Sequence, residues 1–258
     1  MVAAQAADQS QLTGVAHVAL RVSDVGAEVQ FFNKLGFEQA FTHEQNGRTA
    51  FVFVKINDAE FLEIHPHTPV TGTTPQPLGF NHICFVTTNA VAAHAQWTKA
   101  GLNPTAVGKG PDDTLEFGAK DPSGAMTEAL EILPDSQPGL DKGKHLGANR
   151  VSDWLMGIDV PAASVAAWRQ FYEAIGFVGV DRGATVQMSS PATPNLRVTF
   201  HPIGKDDQTR IVFSVKSVQK AAEQLKAAGL KVEATDRELI LHDPDGNTFV
   251  LQQEDARN

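Results

Sequence analysis

The chain has 258 residues, of which 42% are hydrophobic and 20% charged, and its formal net charge is −9. That balance describes a globular protein, and it argues against a nucleic-acid surface or an anionic membrane as the partner. No apolar run approaches membrane-spanning length, and one cysteine, Cys84, excludes an internal disulfide.

Residues 1–12 read as a disordered N-terminus or a signal-peptide remnant, since Ala4-Gln5-Ala6 before Ala7-Asp8-Gln9 resembles the tail of a cleavage site without its charged and apolar regions. Cytoplasm and bacterial periplasm therefore both fit. Val15 to Val22 alternates as a half-buried strand does, with Ala16, Val18, Leu20 and Val22 on one face and His17, Ala19 and Arg21 on the other. An amphipathic helix follows, capped by Ser23 or Asp24, with Val29, Phe32 and Leu35 at helical spacing and Gly36 as the left-handed residue that ends it. Short β-like runs come next at 50–55 and 60–65. The same order recurs three times, from the strands at 80–87, 155–160 and 211–215, each followed by a helix and by further short strands.

The spacing within these repeats is constant. His17, Asn81's neighbour His82, Gly157 and Arg210 each stand 19 residues before a glycine pair, at Gly36-Phe37, Gly101-Leu102, Gly176-Phe177 and Gly229-Leu230 (36−17, 101−82, 176−157 and 229−210). Each unit reads β-α-β-β-β in about 50 residues, too few to bury a core alone, so the units must pack together. The result is an α+β protein of two domains, residues 13–133 and 150–253, joined by a linker at 134–149 rich in Pro, Gly, Asp and Lys.

Two of the four register positions, His17 and His82, are metal-ligand types. If the last strand of a unit lies beside its first, a carboxylate on the concave face meets the histidine of the partner unit. Phe61-Leu62-Glu63-Ile64-His65 puts Glu63 on one face with Phe61 and His65. After the Asp121-Pro122-Ser123-Gly124 turn the candidates are Glu128 and Glu131, which face opposite sides of a regular strand. His67, His94 and His145 fall outside the register and read as solvent-exposed, and Tyr172 reads as core.

The repeat and its Asp-Pro-Ser-Gly and Asp-Pro-Asp-Gly turns resemble the vicinal oxygen chelate superfamily, which includes glyoxalase I, bleomycin-resistance proteins, methylmalonyl-CoA epimerase and extradiol dioxygenases. The resemblance spans residues 13–253 and implies four βαβββ modules paired into two domains with curved mixed sheets flanked by helices. It implies metal ligands on the first and last strands of two paired units, the last-strand ligand four residues after the turn glycine, which selects Glu128 over Glu131. The implied set is His17, Glu63, His82 and Glu128, holding one divalent transition metal per chain (Zn, Ni, Co, Mn or Fe). In the second half the corresponding positions are Gly157, Thr199, Arg210 and Val250, which hold no metal. A complete site requires the first two units to pair with each other, within one chain or by exchange in a homodimer.

The resemblance further implies a glyoxalase- or epimerase-like isomerase or lyase acting on a small α-carbonyl compound through a metal-stabilised enediolate, with Glu63 or Glu128 shuttling the proton. Arg21, His65 and Cys84 are the expected substrate-side residues, Arg21 for a carboxylate. Two alternatives belong to other classes. An Fe(II) ring-cleaving dioxygenase would want two His and one carboxylate with open positions, and a bleomycin-resistance-like binding protein would need no metal.

Overall fold

The computed structural model describes residues 11–205 and 207–254, so residues 1–10 of the expected N-terminal tail lie outside the described residues. In the first half the elements are β1 (Leu12–Val22), α1 (Val25–Lys34), β2 (Glu38–Gln45), β3 (Arg48–Lys55), β4 (Phe61–Pro66), β5 (Gly79–Thr87), α2 (Ala90–Lys99), β6 (Gly108–Lys109), β7 (Leu115–Lys120) and β8 (Met126–Glu131). A short helix α3 (Gln137–Leu140) lies in the connecting segment. The second half repeats the order: β9 (Leu155–Ala162), α4 (Val165–Ala174), β10 (Val178–Arg182), β11 (Thr185–Ser190), β12 (Thr193–Pro202), β13 (Arg210–Val215), α5 (Val218–Ala227), β14 (Glu233–Ala234), β15 (Glu238–His242) and β16 (Thr248–Gln253).

Each half forms one eight-stranded mixed sheet, in the orders β2-β3-β4-β1-β5-β8-β7-β6 and β10-β11-β12-β9-β13-β16-β15-β14. The first two units therefore pair within one chain, through antiparallel β1 and β5, while β4 runs parallel to β1 and β8 parallel to β5. The four long helices start at side-chain caps, Asp24, Asn89, Ser164 and Ser217, each accepting from a first-turn N–H. Asp24, rather than Ser23, caps α1; Ser23 instead gives its N–H and hydroxyl to Asp245 of the other half.

The helices and the inner faces of both sheets share one continuous core. Phe31 and Phe32 of α1 pack on Phe249 of β16, Phe37 packs on Phe213, and Phe85 of β5 meets Tyr172 and Phe177. The connecting segment is a docked strap. Gln137 N–H donates to Asp112 O beside β7, and at the far side the fully buried Lys55 of β3 donates to Asp141 O and Oδ2 at 2.6 and 2.9 Å.

One face assignment in β1 differs from strict alternation. The register shifts between Val15 and His17, so Val15 joins the core with Val18 and Leu20, while Ala16 turns to the concave side and packs with Cys84 and Leu130. A β-bulge of this kind re-aims the residues that follow it, and here it accompanies His17 into the cup.

Candidate metal centre

The concave face of the first sheet gathers side chains from four strands. Register pairs His17 with Phe61 and Cys84, Ala19 with Glu63 and His82, and Cys84 with Glu128, so the four candidate ligands occupy neighbouring strands at adjacent levels. Their ligand atoms converge. His17 Nε2 lies 3.0 Å from His82 Nε2, 3.3 Å from Glu63 Oε2 and 3.8 Å from Glu128 Oε2. His82 Nε2 lies 3.4 Å from Glu63 Oε2 and 3.2 Å from Glu128 Oε2.

This spacing fits a shared cation. Ligands held about 2.1 Å from one centre stand roughly 3.0–3.4 Å apart in octahedral or tetrahedral arrangement. Glu63 Oε2 is buried without a well-formed hydrogen bond, an acceptor aimed into the cluster whose satisfaction a cation would supply. Two imidazoles and two carboxylates are a suitable donor set for a borderline divalent metal. The residues fit the group.

The electrostatics are tightly interlocked. Burial raises the Glu63 carboxyl, but the charges of His17 and His65 and the close imidazoles of His65 and His82 outweigh it and hold the group well below its usual range. Burial likewise raises Glu128, and hydrogen bonds and charges of His17 and His82 overcome this and bring it down to about 2. For His82 burial works downward, and Glu128 and Glu63 together push it up to about 10. Both carboxylates are thus acceptors at neutral pH.

The remaining expected residues fall in distinct places. His65 Nε2 is 3.1 Å from Glu63 Oε2. Arg21 lies on the cup face of β1 opposite His65 in register; burial lowers its pKa, and no carboxylate among the described residues pairs with it. Cys84 is fully buried behind the ligands, with burial and then Glu128 raising its thiol well above the usual value. It faces the ligand cluster from beneath, with no exposed surface for a substrate. Glu131 points away, its Oε2 accepting from Ala90 N at the start of α2. The histidines outside the register are half-buried rather than exposed: His94 packs on Phe117, and His145 pairs with Asp141 at 2.6 Å.

Several residues of the cup carried no sequence signal of their role. Phe41, Phe51 and Phe53 join Phe61, which the sequence already placed on the face of Glu63, in an aromatic wall, with Phe53 edge-on to His17 and Phe51 against His65. Glu116, pushed up to about 7 by burial and then by Glu128 and Asp112, shares the cup face of β7. Gly118 lies across from Glu128, and a Cβ there would stand 3.1 Å from Glu128 Cγ and 2.6 Å from Met126 Cε, so glycine makes the room that Glu128 occupies.

The second cup keeps the register without the ligands. Gly157, Thr199, Arg210 and Val250 occupy the equivalent places, and a Cβ on Gly157 would lie 1.8 Å from Arg197 O. No ligand side chain fits there without moving the strand.

Two curved sheets built from paired βαβββ units, with His-Glu-His-Glu converging on the concave face of one, define a vicinal oxygen chelate architecture. Residues 14–129 match the Glyoxalase/Bleomycin resistance protein/Dioxygenase superfamily, and the first half belongs to it. No curated protein sequence matches the chain. Among solved structures, a catechol 2,3-dioxygenase is similar at TM-score 0.72 and 14% identity, covering 95% of this chain and 89% of that one. The Mn(II)-bound glyoxalase from Novosphingobium aromaticivorans is similar at TM-score 0.68 and 16% identity, covering 95% and 83%. The 2,3-dioxygenase LapB from Pseudomonas sp. KL28 is similar at TM-score 0.69 and 13% identity, covering 96% and 94%. At such identities these structures establish the fold of both halves. No helix of the described residues is long and apolar enough to cross a membrane.

Proposed function

We propose that the chain is a divalent-metal-dependent isomerase or lyase of the glyoxalase or epimerase kind, acting on a small α-carbonyl substrate, with His17, Glu63, His82 and Glu128 as the metal ligands. The observation that carries this reading is the second carboxylate: three further ligand atoms, of His82, Glu63 and Glu128, lie within 3.8 Å of His17 Nε2, where a dioxygenase site needs two His, one carboxylate and open positions. The metal, when bound, acts as a Lewis acid on the substrate carbonyl and so favours loss of the neighbouring proton.

The two glutamates differ in freedom. Glu63 Oε2 is held by three imidazoles at 3.1–3.4 Å and its side chain is 9% exposed. Glu128 touches two, and its side chain is 26% exposed. Glu128 therefore has the room to swing and take the substrate proton, while Glu63 stays fixed with His65 bracing it. Arg21, opposite His65 and with no carboxylate partner among the described residues, orients an anionic substrate group by its guanidinium fork. Phe51, Phe53 and Phe61 exclude water beside the reacting atoms and seat an apolar substrate body.

That same wall supports one second reading, an Fe(II) ring-cleaving dioxygenase with an aromatic substrate. Proton exchange separates the two. Metal-reconstituted protein incubated in D2O with 2-oxo and 2-hydroxycarbonyl compounds should exchange the α-proton, and Glu128→Gln should abolish exchange while metal content persists. Oxygen uptake with catechols and no exchange would replace the isomerase reading with the dioxygenase one.

A further inference from the structure

The second cup is more than a blank copy of the first. In register, Arg197 stands where Phe61 stands in the first cup, and Gln187 where Phe53 stands. An aromatic wall beside metal ligands has become a polar wall around a guanidinium. Two adjoining cavities of about 280 and 170 Å³ share Met156, Gln187 and Arg197 as lining residues; together they are the size of a small-molecule site.

The charges in this cup are unevenly matched. Arg210 has Asp159 at 4.0 Å and Glu238 at 3.5 Å, and Glu254 accepts from the indole N–H of Trp154 at 3.0 Å. Arg197 is different. It is half-buried, no carboxylate among the described residues pairs with it, and its one polar side-chain contact is Nη2 to Met156 Sδ at 2.9 Å. A thioether is a weak acceptor, so a guanidinium with five N–H donors is left in a cavity with its fork unfilled. A planar carboxylate is the group that fills it with two parallel hydrogen bonds.

We propose that the second cup binds a small organic monocarboxylate, with Arg197 as its anchor, Gln187, Thr199 and Gln252 as further polar partners, and Trp154 and Met156 against its apolar body. Arg210 already has Asp159 and Glu238 beside it, and Asp159 and Glu254 also line the two cavities, so the open fork of Arg197 is the place for a single carboxylate. The site is independent of the chemistry in the first cup and needs no metal.

Methionine methyl NMR reads this without any activity. Met156 lines the second cup, Met126 lies on β8 of the first beside Gly118, and Met188 is fully buried in the core, so three methyl signals report three places. Titration with a panel running from acetate through hexanoate to benzoate should move the Met156 signal saturably for at least one member, with a dissociation constant in the millimolar range or tighter. The matching amide, benzamide for benzoate, should bind about tenfold more weakly or worse. Arg197→Leu should abolish the Met156 response with Met188 unmoved, showing an intact core, and Arg197→Lys should retain part of it. The proposal is overturned if no carboxylate in the panel moves Met156, if only Met126 responds, or if Arg197→Leu titrates as the wild type does.

Discussion

Replacing Glu28 by Gln should stabilise the protein increasingly as pH rises. Glu28 is on α1, 1% exposed, and neither carboxyl oxygen has a well-formed hydrogen bond. Its pKa is pushed up to about 9, first by burial, then by the nearby charges of Asp243 and Asp245. Asp243 itself is raised by burial against hydrogen bonds from Asn247 and the backbone, and Asp245 ties the same turn to Ser23. The protonated acid is therefore the form that the contact between the two halves accepts. Because the folded pKa lies above the ordinary 4.5, the folded state holds a proton that the unfolded state releases, and stability is lost as pH rises from 4.5 toward 9. At about 1.4 kcal/mol per pH unit, the wild type loses roughly 4 kcal/mol from this group between about pH 5 and about pH 8. Gln has the shape of the protonated acid and does not titrate. Urea denaturation at both pH values should give nearly equal stabilities for Glu28→Gln and wild type in acid, and a variant more stable by several kcal/mol at the higher pH. Parallel pH profiles would refute the buried, protonated Glu28.

Other perturbations test the cup and its strap. Gly118→Val should crowd Glu128 and Met126, and elemental analysis should find metal binding weakened at least about tenfold with the fold retained by circular dichroism. Lys55→Met takes the ammonium from buried Asp141, which keeps His145, and should cost less than the roughly 3–5 kcal/mol of a fully uncompensated buried charge in urea denaturation. Gly157→His, which copies a ligand into the second cup, should lower the melting temperature and add no second metal, because its Cβ meets Arg197 O at 1.8 Å.

That His17, Glu63 and His82 share one face was legible because a repeat with constant spacing fixes strand register, and register fixes which side chains face each other, whereas Glu128 was separated from Glu131 only by the resemblance to the vicinal oxygen chelate superfamily. The same logic read the second half as lacking ligands at Gly157, Thr199, Arg210 and Val250. Of the aromatic wall, Phe61 was placed with Glu63 but Phe51 and Phe53 were not: in Phe51-Val52-Phe53-Val54 both faces are apolar, so period-two alternation cannot say which one meets the cup. Nothing in the sequence marks Lys55 as buried, because its partner Asp141 is remote, in a segment whose composition reads as a linker. Glu28 hid for a similar reason, since the half that buries it comes more than two hundred residues later. Ala16 was misplaced by the bulge before His17, which alternation does not foresee.

The central claim is that the first cup holds one divalent metal and the second none. Elemental analysis of protein purified without chelator should find about one equivalent of a transition metal per chain, lost in His82→Ala and Glu63→Ala and retained in Arg210→Ala. Wild-type protein that contains no metal and takes up none on reloading would contradict the account.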